Sequence, residues 1–154
     1  MNDSKTSGSL PDLLLFAANA EQARLYGEHL VRLGYAAESA RTGGVGAAIE
    51  WTRAHPVPAL LLVDLDDEAL PLHAINELSE SCDPACQIIA LGSRQDINLY
   101  RTLLHHGLFD YLIKPVPLDQ LADLVRQKDA VDYQRSLQLV LKGWLFVHIP
   151  LTYG

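Results

Sequence analysis

Ala59-Leu60-Leu61-Leu62-Val63-Asp64 is a run of five apolar residues that ends on an acid. It is the most strand-like stretch of the chain and reads as a strand buried in a sheet. Pro56 and Pro58 close off what precedes it, a helix over roughly Val45 to Ala54 that opens at Thr42-Gly43-Gly44-Val45-Gly46. Further upstream, Leu13 to Phe16 is a second continuously apolar run. Asn19 is placed to cap a helix over Ala20 to Leu33, whose Ala23, Tyr26, Leu30 and Leu33 recur at three- and four-residue intervals and share one face. Gly34 stands where that helix ends, since glycine accepts a left-handed cap. Tyr35 to Ala40 reads as the second strand.

Downstream of Asp64 the alternation continues. A third helix covers about Leu72 to Ser81, and Gln87 to Leu91 is a fourth strand. The fourth helix, about Asp96 to His106, is stopped by Gly107. Asp110 to Ile113 is a short fifth strand. The last helix follows Pro117, with Asp119 near its start, and reaches about Lys128. Five strand–helix units in a row imply an α/β fold, a parallel sheet covered by helices on both faces. Right-handed crossovers leave few topologies. Five short units fit a flavodoxin-like, doubly wound sheet of order 2-1-3-4-5, with its functional groups at the C-terminal ends of the strands.

The rest of the composition fits one such domain. The chain has 154 residues, 49% of them hydrophobic and 20% charged, which is enough apolar material for a core. The net charge of -7 argues against a nucleic-acid binder. Residues 1–10 read as a flexible N-terminus, polar and without the apolar run of a secretory signal. The domain occupies residues 11–130, and 131–154 form a tail. The tail's two apolar runs, Leu137 to Leu141 and Trp144 to Ile149, are split by Lys142-Gly143 and are too short for a membrane span. Cys82 and Cys86 form a lone C-x3-C with no second half for a zinc site. They read as reduced structural thiols in a cytoplasmic protein.

The positions to inspect therefore follow the strands: Ala17 to Asn19, Asp64 to Asp67, Gly92 to Arg94, and Lys114-Pro115. Asp64 ends the third strand and Lys114 the fifth, and a long lysine can reach across the fourth strand toward the acid. A small hydrolase built on Asp64, Asp66 and Asp67 with His105 or His106 fits less well, because those histidines fall at the far end of the fourth helix.

Leu62-Val63-Asp64-Leu65 and Asp110-Tyr111-Leu112-Ile113-Lys114-Pro115 resemble the phosphoacceptor strand and the D-Y-L-x-K-P strand of response-regulator receiver domains. The resemblance covers about Leu13 to Lys128. It implies that Asp64 is the phosphoacceptor position, Lys114 the phosphate contact and Tyr111 the aromatic switch. Two departures stand beside it. A working receiver carries an acidic pair after its first strand to help hold Mg²⁺; here the chain reads Ala17-Ala18-Asn19, which leaves a poor magnesium site. The usual hydroxyl after the fourth strand falls on Gly92, while Ser93 comes one residue late, so its side chain is expected to point elsewhere.

Cys82-Asp83-Pro84, Ile88 to Gly92, Asp96-Ile97-Asn98-Leu99-Tyr100-Arg101 and the Asp110 to Pro115 strand, in that order, are similar to the atypical receiver domain of TadZ/CpaE proteins, which place Flp/Tad pilus machinery at a cell pole. That family's ATPase half is missing from this chain. Gly43-Gly44-Val45-Gly46 lacks the Lys-Ser/Thr of a phosphate loop, and Trp144 to Ile149 reads either as the remnant of a link into such a domain or as an apolar segment that packs on the domain or mediates dimerisation. The resemblance implies a non-enzymatic pseudo-receiver without cofactor. It would dock pilus or secretion components, and pair with itself, through the face of the fourth helix, fifth strand and fifth helix. The alternative is a single-domain regulator that takes phosphate on Asp64 from a histidine kinase with Mg²⁺.

Overall fold

A five-stranded parallel sheet runs through residues 10–128, the part of the chain that the computed structural model describes. The readings of 1–9 and of 129–154, with the tail's apolar runs, lie outside the described residues. Five strands order the sheet as β2-β1-β3-β4-β5: β1 (Leu13–Ala17), β2 (Ala40–Thr42), β3 (Leu60–Asp64), β4 (Gln87–Gly92) and β5 (Asp110–Ile113). The helices are α1 (Ala20–Arg32), α2 (Gly44–Ala54), α3 (Pro71–Ser81), α4 (Ile97–His105) and α5 (residues 118–128). This is the flavodoxin-like order expected from the alternation.

The central strand explains the arrangement. All five residues of β3 are buried, because neighbours hydrogen-bond to both of its edges and helices cover both faces. Side chains alternate across a strand, so Leu60 and Leu62 face one side, Leu61 and Val63 the other. The first pair joins Leu13, Leu15, Ile89, Leu91 and Leu112 in a core closed by Tyr26 and Leu30 of α1 and by Leu121 and Leu124 of α5. The second pair joins Phe16, Ile88 and Ala90 in a core closed by α2, α3 and α4 through Ala48, Ile75 and Leu103.

Helix starts follow local chemistry. The Asn19 carboxamide oxygen accepts the Gln22 N–H at 2.9 Å, and Asp96 accepts those of Asn98 and Leu99 at 3.0 and 3.1 Å. Both satisfy amides that a first turn leaves without partners. Gly34 closes α1 with φ of 104°, as its position required.

The second strand departs from expectation. Tyr35 to Ala40 does not form it; Ala37–Ser39 is a short 3-10 turn, and the strand is Ala40–Thr42. Tyr35 is spent on ending α1. Its N–H donates to the Leu30 carbonyl at 2.9 Å and its hydroxyl to the Pro11 carbonyl at 2.7 Å. Ala, Glu and Ser are weak strand formers, so pairing begins only where Ala40 meets Leu15.

Candidate functional site

Four strands deliver their C-terminal ends to one edge of the sheet. Asp64 is the last residue of β3 and lies opposite Leu91 of β4. Past the strand end the loops stay tied to β4: Leu65 N–H donates to the Leu91 carbonyl, and Lys114 N–H to that of Gly92, both at 2.9 Å. These bonds fix the approach of Asp64, Asp66 and Lys114 to one another.

The Lys114 ammonium sits between two carboxylates. It is 2.6 Å from Asp64 Oδ2 and 2.8 Å from Asp66 Oδ2, and it also donates to the Gln22 Oε1 at 3.2 Å. The three donors of a lysine are thereby matched by three acceptors. The Asp64 side chain is only 1% exposed. Its second oxygen, Oδ1, accepts the Asp66 N–H at 2.8 Å, so both oxygens of the carboxylate are engaged inside the protein.

Asp66 is held as firmly from the other side. Ser93 N–H donates to its Oδ1 at 2.8 Å and the Ser93 hydroxyl to its Oδ2 at 2.7 Å. This corrects the expectation for Ser93. Strand β4 ends at Gly92, so the alternation of the pleat stops there, and Ser93 turns its hydroxyl toward the acid–lysine cluster. Burial works against the charge on Asp66, but the bonds from Lys114 and Ser93 outweigh it and keep its carboxyl below the ordinary aspartate range. Burial likewise opposes the charge on Lys114, and the bonds to Asp64 and Asp66 push its ammonium above the ordinary lysine value.

Tyr111 lies next to this cluster on β5, with its ring turned over Gly92. A Cβ added to Gly92 would collide with the Tyr111 hydroxyl and stand 2.9 Å from its Cζ. Only a residue without a side chain leaves that room. Tyr100 of α4 meets the same ring edge-on at 6.4 Å between centroids. Burial, reinforced by the charge of Asp66, pushes the Tyr111 hydroxyl above its ordinary pKa, against the pull of the Arg94 backbone N–H.

The groups at the end of β1 complete the site. Ala17 is fully buried and Ala18 half-buried, and neither offers an oxygen on its side chain. Asn19, the remaining candidate, has its carboxamide oxygen bound to the α1 amide. Magnesium needs several oxygen ligands in octahedral array. Asp64 and Asp66 already share the Lys114 ammonium, and the end of β1 supplies no carboxylate, so these residues do not fit the ion. Among the described residues, no three His, Cys, Asp or Glu side chains are grouped to hold a metal. A cavity of about 180 Å³ beside Asp64 is lined by Ala18, Gly43, Gly44, Asp67 and Glu68, and its two further acids make it unwelcoming to a phosphoryl anion.

Sequence reasoning singled out Asp64, Lys114, Tyr111 and Gly92, and the fold brings all four together. It missed Gln22, and it listed Asp66 among the positions past β3 without a partner for it. An acid two residues past a strand end carries no signal of where its side chain turns. Gln22 joins from 92 positions away, and nothing in the chain marks it.

No protein-family model and no curated protein sequence matches the chain. Among solved structures, the pilus assembly protein CpaE of Caulobacter crescentus is 31% identical, with a TM-score of 0.61 over 77% of this chain and 97% of that one. A protein assigned as the CpaE2 pilus assembly protein of Sinorhizobium meliloti is 26% identical, with a TM-score of 0.63 over 76% of this chain and 98% of its own. A response regulator of Burkholderia pseudomallei, solved with a phosphorylated aspartic acid, is 21% identical with a TM-score of 0.62 over 83% and 74%; it shares the fold. The residues that resemble a receiver, the sheet that carries them and the CpaE likeness agree: this chain is a receiver-like domain that belongs to the CpaE family of pilus assembly proteins.

Proposed function

We propose that the chain is a non-enzymatic interaction module of pilus assembly, a receiver fold whose acceptor pocket is closed by its own lysine. One observation carries the reading. Asp64 is buried, and both of its oxygens are bonded within the protein, one to Lys114 and one to the Asp66 amide. A carboxylate that accepts phosphate must present an oxygen lone pair to the donor, and a metal ordinarily offsets the charge of two approaching anions. Each Asp64 oxygen already accepts a bond from within the protein, so an incoming donor meets an engaged, buried carboxylate, and Asp64 and Asp66 share an ammonium in place of a metal.

A module that does not switch must still be recognised. Tyr111 is already turned inward, and it supports a fixed face made of α4, β5 and α5. Ile97 and Ile113 on that face are 67% and 38% exposed, apolar side chains suited to a protein partner or to a second copy of the chain. Such partners would hold the chain in the cytoplasm, at whichever cell pole carries the machinery. Among the described residues no helix is long and apolar enough to cross a membrane.

The test is co-purification of the tagged chain with the pilus assembly proteins of its host. Asp64→Ala is expected to leave capture unchanged, and Ile97→Asp with Ile113→Asp to reduce it at least tenfold. Capture lost in Asp64→Ala and kept in the double variant would sink the reading.

A further inference from the structure

At the opposite end of β4, away from the pocket, two thiols share one short loop. Cys82 ends α3 as its C-terminal cap, and Cys86 directly precedes β4. Between them the chain reverses tightly. Cys86 N–H donates to the Asp83 carbonyl at 2.8 Å, and the Asp83 side chain accepts the Ala85 N–H at 2.7 Å. The reversal sets the two cysteines on either side of one turn, packed against the same core cluster. Both cysteines pack on the core beneath α3 and both remain half-exposed, so a small oxidant can reach them.

We propose that Cys82 and Cys86 are an oxidisable pair that closes to an intramolecular disulfide. The co-reactant is a hydroperoxide. The Cys82 thiolate attacks the peroxide, the O–O bond breaks, and Cys82 becomes a sulfenic acid as water or an alcohol leaves. The Cys86 sulfur then attacks the Cys82 sulfur, the S–O bond breaks, and a second water leaves with the Cys86 proton. Two thiols lose two electrons and two protons, and the peroxide is reduced by the same two electrons. The order follows from the surroundings. The neighbouring Cys86 thiol lowers the Cys82 pKa, while Cys82 and burial raise that of Cys86, so Cys82 is the better nucleophile.

The loop also anchors α5. Lys128, buried at the end of that helix, donates from its Nζ to the Ala85 carbonyl at 3.0 Å. A disulfide bond is about 2.05 Å long, well inside the contact distance of two thiols. Closing the ring therefore draws the loop together around Ala85 and disturbs that anchor. The site is independent of the pocket, since the six residues of β4 separate them, about 20 Å at strand rise.

The experiment treats the full chain with hydrogen peroxide and then with N-ethylmaleimide. The expected product is a monomer that has lost about 2 Da, takes up no maleimide and regains both thiols with dithiothreitol. Cys82→Ser and Cys86→Ser are each expected to remain unable to form it. Amide exchange over 118–128 should be faster in the oxidised wild type, which needs no variant to fold. Two thiols still alkylated after peroxide, or a covalent dimer in place of the monomer, would overturn the proposal. Exchange unchanged in the oxidised monomer would overturn the link to α5.

Discussion

At the scale of the residue, the protein is governed by one ammonium and what it holds apart. Asp64 and Asp66 would repel each other without Lys114 between them. Lys114→Met should therefore cost about 3–5 kcal/mol, the usual penalty for stranding a buried charge. Asp64→Ala should cost less, because Lys114 keeps Asp66 and Gln22 as acceptors. Urea unfolding of the two variants checks the order; equal losses would mean that Lys114 is not the hub. The same cluster sets a pH dependence. Asp66 titrates below its ordinary value, so its contribution is complete above the ordinary carboxylate range and fades as acid protonates it. Lys114 titrates above its ordinary value, so its contribution is complete below that value and fades as alkali removes the proton. The urea midpoint should hold from about pH 5 to about pH 10 and fall on either side. In Lys114→Met the alkaline fall should be weaker.

Between elements, the contact to watch is that of β4 with β5. Gly92 pairs with Ile113, and its missing side chain is what admits the Tyr111 ring. Gly92→Ser restores the hydroxyl that a receiver carries there but puts a Cβ where the phenol sits. The expected result is a destabilisation of about 1–3 kcal/mol by overpacking, with Tyr111 ring resonances shifted in NMR spectra. An unshifted ring would show that the inward position does not depend on the glycine. This contact also marks how far the sequence could be read. Elements with a strong period or a continuous apolar run, such as β3 and α1, were legible because burial on two faces or one leaves that pattern. The position of Gly92 in line with the missing hydroxyl was legible for the same reason. The destination of Ser93 was not, because the pleat that fixes side-chain direction ends one residue before it. Strand β2 was misplaced because its three residues are set by pairing with β1, while the residues before it close a helix. Asp66 and Gln22 were silent, since side-chain direction in a loop and a partner across the fold leave no local pattern.

At the scale of the whole molecule, the fold keeps the receiver frame, and its site chemistry has been turned inward. The chain belongs to the CpaE family, and the proposed role, a docking surface in pilus assembly, rests on an acceptor pocket that takes no phosphate. That claim stands or falls on whether Asp64 can take a phosphoryl group. The direct measurement is intact-mass spectrometry of the chain after incubation with acetyl phosphate and Mg²⁺, beside Asp64→Ala. The expected result is no phosphorylated species in either protein. A phosphoryl adduct on the wild-type chain that is missing from Asp64→Ala would contradict the account and make this a phosphorylatable regulator.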